Sequence, residues 1–65
     1  MDTQFLIASE TYAEKTKRVL ERAHIRWRVQ RFTAPEGCTF RFTVPAPPAV
    51  VYPLLQAARI PVQAG

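Results

Sequence analysis

Two periods of hydrophobic and polar residues run along this chain, and they place its elements. Gln4 to Ala8, QFLIA, is a short apolar run without alternation, which predicts a central strand buried on both faces. Helix-start chemistry follows: Thr11 with Glu14 three residues on forms a capping box, and Ser9 is a competing cap. Tyr12, Thr16, Val19, Leu20 and Ala23 then share one helical face, while Glu14, Lys15, Lys17, Arg18, Glu21 and Arg22 fall mostly elsewhere. Glu14 is spaced to pair with Lys17 and with Arg18. His24 closes this helix, a position where a histidine favours the dipole when protonated. A pH switch or general base at His24 has no evident catalytic partner.

The period then changes to two. From Ile25 to Phe32, Ile25, Trp27 and Val29 alternate with Arg26, Arg28 and Gln30; from Thr39 to Val44, Phe40, Phe42 and Val44 alternate with Thr39, Arg41 and Thr43. Each run predicts a strand with one packed face and one wet face, with Trp27 and Phe42 carrying much of the core. Between them Ala34-Pro35-Glu36-Gly37 is turn chemistry. Pro35 pre-sets φ at the second position and Gly37 tolerates the positive φ that ends the turn, so the two strands read as a hairpin.

Pro45 to Pro48, PAPP, is a stiff connector. A second helix is expected from about Pro48, with Val50, Val51, Leu54, Leu55 and Ala58 on one face and a bend or restart at Pro53. Ile60-Pro61-Val62 reads as a short closing strand at a sheet edge. No internal repeat is apparent. The order β-α-β-β-α-(β) is the ferredoxin-like split βαβ pattern, an α+β fold with two helices on one face of an antiparallel sheet and one domain over residues 1–65. Arg26, Arg28 and Arg41 are then expected together on the open face.

Composition narrows the function classes. At 65 residues the core is small, and the single cysteine, Cys38, cannot form an internal disulfide. Cys38 and His24 cannot supply the four ligands of a structural zinc, so neither metal nor cofactor is expected. The net charge of +4, mostly arginine, favours an anionic partner. The start, Met1-Asp2-Thr3-Gln4, lacks a signal-peptide pattern and no stretch approaches the roughly 20 apolar residues of a membrane span. The expectation is a cytoplasmic protein with its thiol reduced and no membrane partner.

Candidate chemistry gathers at the hairpin. Cys38 sits where the turn passes into the second strand, and Arg31 and Arg41 are expected near it. A cation beside a thiol favours the reactive thiolate. The plainer reading is a small apolar side chain tucked under the hairpin. No P-loop, dinucleotide fingerprint or paired carboxylates appear, Glu36 beside Cys38 would oppose a thiolate, and His24 lies on a different element, so an enzyme is not expected. Nucleic acid is not favoured either, because the arginine face lacks, on this reading, the exposed aromatics that single-strand binders use for stacking.

The stretch FLIASETYAEKTKRVLERAHIRWRVQ resembles the first half of the short domains called DUF3343, described as selenium- or sulfur-carrier-like. Ser9, Ala13, Lys15, Leu20 and Ile25 fall at matching places. Cys38 falls near the family cysteine, Phe40-Arg41-Phe42 is similar to the strand after it, and LLQAARIPVQAG is similar to the closing helix and strand. In this chain His24 replaces a usual Gly, and Gly37 precedes the cysteine instead of following it. The resemblance implies a sulfur or selenium carrier using Cys38. The residues alone leave a second reading: an interaction or self-assembly module binding a protein or an anionic partner through its open sheet face, with Cys38 structural.

Overall fold

The computed structural model describes residues 2–64. Its elements are β1 (Thr3–Ile7), α1 (Glu10–Arg22), β2 (Arg28–Ala34), β3 (Gly37–Val44), α2 (Pro48–Ala57) and β4 (Gln63–Ala64). The strands form one antiparallel sheet in the order β2-β3-β1-β4. The expected α+β fold with the split βαβ connection is therefore present: β3 sits between β1 and β2, and α1 makes the crossover.

The core lies under the helices. Phe5 and Ile7 of β1, Phe40, Phe42 and Val44 of β3, Ala13 and Leu20 of α1, Val51 and Leu55 of α2 and Ile60 are all buried. Phe5 and Phe42 are register partners, and their rings stack with centroids 5.3 Å apart and 3° between planes. Trp27 contributes less than expected: it precedes β2 instead of lying in it, and is only partly buried against the core. β1 is central, but only one of its faces is buried. Thr3, Phe5 and Ile7 face the core while Gln4 is exposed, because the helices cover a single side of the sheet.

In α1 the buried stripe is Ala13, Thr16 and Leu20, and Tyr12 is exposed. The small Ala13 lets the helix approach the sheet where a tyrosine would hold it away. Thr16 remains inside because its hydroxyl donates to the Tyr12 carbonyl at 2.7 Å. The Thr11–Glu14 capping box does not form. Ser9 is the N-cap, without a side-chain cap bond, and Glu14 instead accepts from Lys17 Nζ at 2.9 Å. That hydrogen bond, then the Lys17 charge, holds the Glu14 carboxyl below its ordinary pKa.

α2 runs without a restart through Pro53, the sixth of its ten residues, which takes away the bond an N–H there would give to the Ala49 carbonyl. Val51 and Leu55 are buried, but Val50 is 46% exposed. The closing strand lies later than Ile60–Val62, at Gln63–Ala64, and it is an edge as expected.

Both helices end in the same way. After α1, His24 has φ 58, its N–H reaches the Glu21 carbonyl at 3.0 Å and the Ile25 N–H reaches Leu20 at 2.9 Å. After α2, Arg59 has φ 56, its N–H reaches Gln56 at 3.0 Å and Ile60 N–H reaches Leu55 at 3.0 Å. These are two Schellman motifs, each followed by an isoleucine. The underlying repeat, Leu-X-X-Ala-X-Ile at Leu20–Ile25 and Leu55–Ile60, is too short to stand out from the sequence. His24 therefore caps through its backbone. A left-handed conformation is unfavourable for any residue with a Cβ. We expect His24→Gly and Arg59→Gly each to raise stability by about 0.5–1 kcal/mol, and additively, as read by urea unfolding. A loss of stability in either variant would show that the side chain itself holds the helix end.

Candidate thiol site at the hairpin

A two-residue turn, Pro35-Glu36, joins β2 to β3. Gly37 has φ 138, a conformation that only glycine adopts freely, so the positive φ lies where the turn chemistry puts it. The strand resumes at Gly37, two residues earlier than expected, so Cys38 is a strand residue paired with Thr33.

Register then decides which arginine meets the thiol. Cys38, Phe40 and Phe42 point to the helix-covered face, and so do their partners Thr33, Arg31 and Val29. Arg31 pairs with Phe40, which makes it a diagonal neighbour of Cys38, within reach of a long side chain. Its Nη2 donates to Cys38 Sγ across 3.4 Å. Cys38 is half-buried against the margin of the core, and Arg31 is exposed. The thiol is therefore neither sealed under the hairpin nor fully free. Arg41, expected beside it, lies on the opposite face: it is odd-numbered in a strand whose even positions face the helices, and its register partners are Gln30 and Leu6.

The start of α1 adds a charge that the sequence did not single out. The Arg31 guanidinium is held above its ordinary pKa by the hydrogen bond to Cys38, then by the negative charges that a Cys38 thiolate and Glu10 place near it. Glu10 is the first residue of α1, so Cys38, Arg31 and the N-terminus of α1 share one end of the molecule. His24 lies beyond the far end of that 13-residue helix, just after its C-cap Ala23, and the helix spans about 20 Å. A Cys38–His24 pair is therefore not assembled. Among the described residues no three His, Cys, Asp or Glu side chains gather to hold a metal ion. Among the described residues no helix is long and apolar enough to cross a membrane.

The uncovered face of the sheet carries Arg28 and Arg41 as expected. Arg26 precedes β2 and joins Arg28 around a hollow shared with Asp2 and Thr43. The expectation that this face lacks an exposed aromatic is wrong. Phe32 shares the parity of Arg28 and Gln30, stands on the same face and is 44% exposed. Extending the alternation by one more pair of residues would have found it.

No family model matches the chain, and neither a curated protein nor a solved structure matches it.

Proposed function

We propose that this protein is a thiol carrier, in which Cys38 accepts sulfur or selenium and passes it on without itself being a catalyst. The observation that carries this reading is the 3.4 Å contact from Arg31 Nη2 to Cys38 Sγ at an accessible strand margin. A guanidinium in hydrogen-bonding range favours negative charge on sulfur. In the loading step the Cys38 thiolate attacks the terminal sulfur of a donor persulfide. A new S–S bond forms at Cys38, the donor S–S bond breaks, and the donor leaves as a thiolate, so no external oxidant is required. The negative charge leaves with the donor thiolate, and the acidic S–H of the new Cys38 persulfide then gives its proton to solvent, which puts an anionic terminal sulfur within reach of the same flexible Arg31 side chain. Discharge is the reverse attack by an acceptor thiolate. Gly37 serves the site by setting the turn that starts β3, whereas Arg26, Arg28 and Arg41 take no part in it.

Loading is read by intact mass after incubation with a small-molecule persulfide. The expected result is one added sulfur on the wild-type chain, removed by excess thiol, and none on Cys38→Ser. Equal uptake by both chains would sink the proposal.

A second reading has its own support. β2 is a sheet edge, unpaired along seven residues on one side, and the adjoining uncovered face exposes Phe32. An unpaired edge and an open face are places where a protein or an anionic partner docks. On this reading Cys38 only packs.

A further inference from the structure

The uncovered face of the sheet has a chemical character of its own. The Arg41 guanidinium carbon lies over the Phe32 ring, 5.0 Å from its centroid. The Arg41 Nε is buried and has no hydrogen-bond partner among the described residues. Around this pair stand Gln30, Thr39 and Thr43, side chains that donate and accept hydrogen bonds, with Arg28 beyond them. None of the strand positions on this face, from Gln4 and Leu6 of β1 to Gln63 of β4, is acidic; Asp2, just before β1, shares the hollow of Arg26 and Arg28.

We propose that this face binds single-stranded nucleic acid. A base stacks on the Arg41–Phe32 pair, Gln30 and Thr39 meet its polar edge, and Arg28 and Arg26 meet flanking phosphates. The inference gives the second reading above its ligand class and does not depend on Cys38. Aromatic rings and guanidinium planes on an open sheet are stacking surfaces for unpaired bases. The alternative occupant, a second copy docked face to face, would press one arginine-bearing face against another, and like charges oppose that contact. A duplex has no exposed base for this platform to receive. With two or three phosphates neutralised, the logarithm of the affinity should fall with the logarithm of salt concentration at a slope of about 1.5 to 2.

The test is fluorescence anisotropy on the full chain with labelled oligo(U) and oligo(dT) of about eight nucleotides and a duplex of the same length. Both single strands should bind more tightly than the duplex, and the two compared show whether the 2′-hydroxyl contributes. Phe32→Ala and Arg41→Gln should each weaken binding by about tenfold, while Cys38→Ser, on the opposite face of the sheet, leaves it unchanged. Phe32 is 44% exposed, so its loss leaves the core intact, and far-ultraviolet circular dichroism confirms the fold. Single-strand affinity unmoved by both variants, or matched by the duplex, overturns the proposal. Absence of oligonucleotide binding in a chain that sediments as a dimer through this face overturns it too and leaves the second reading standing. A monomer that binds no strand overturns the proposal as well and leaves the second reading only a different protein as partner.

Discussion

Phe42→Ala should leave the chain without a cooperative unfolding transition at room temperature. Phe42 is fully buried, its ring stacks on Phe5 with centroids 5.3 Å apart, and its strand neighbour on the other side is Val29. Truncating a buried phenylalanine costs about 3–5 kcal/mol, from lost transfer energy and the cavity left behind. A domain below about 70 residues rarely has more than about 3–5 kcal/mol in total. No second cysteine is present to staple this one, so the loss approaches the whole stability. Circular dichroism and thermal melting check the outcome. A native-like melt with less than about 1 kcal/mol lost would mean that the Phe5–Phe42 stack is not the centre of the core.

Gly37→Ala should cost about 1–3 kcal/mol, although the new methyl group meets nothing. A Cβ built at Gly37 has no atom within 4 Å, so crowding contributes no part of the loss. The cost comes from φ 138, which an L-residue adopts only under strain. The position also precedes Cys38 and follows the two-residue turn, so relaxing the strain shifts the thiol relative to Arg31. Chemical synthesis of a chain of this length gives a discriminating control. D-alanine at position 37 accepts positive φ and should restore the stability that L-alanine loses. If the two alanine forms were equally unstable, the strain argument would fail, and the glycine would matter for another reason.

The strand-helix-strand-strand-helix order was legible because the periods were clear: 3.6 through α1, two through Phe40, Phe42 and Val44. The errors came where a pattern was read over too short a window or without the sheet register. QFLIA looked doubly buried because Leu6 is apolar, yet only one face of the sheet is covered, and Leu6 is half-exposed. Tyr12 and Ala13 are neighbours near the helical stripe, and packing distance against the sheet chose the smaller one. Pro53 promised a bend or restart, yet α2 continues through it to Ala57, with the bond to the Ala49 carbonyl forgone.

At the site, the arginines were found as residue types but not as neighbours. Pairing Ala34 with Gly37 puts Arg31 on the thiol side, and the parity of β3 puts Arg41 behind the sheet. That assignment depends on where the hairpin begins pairing, a boundary one or two residues wide. Glu10 was invisible for a different reason. It reaches Arg31 only because β1 and β3 are paired, which brings the start of α1 to the hairpin end of the sheet. Phe32 was within reach of the sequence and was missed because the alternation was not carried through to the last residue of the run.

The alkylation rate of Cys38 with and without Arg31 decides whether the two residues act as one thiol site. An exposed charge is screened by solvent, so the expected effect is moderate: Arg31→Gln should react about twofold to fivefold more slowly near neutral pH, and Arg31→Lys should fall between it and the wild type. Arg41→Gln, on the opposite face, should leave the rate unchanged. Equal rates for the wild type and Arg31→Gln, or a Cys38 that reacts only after unfolding, would contradict a shared site and make the cysteine a packing residue.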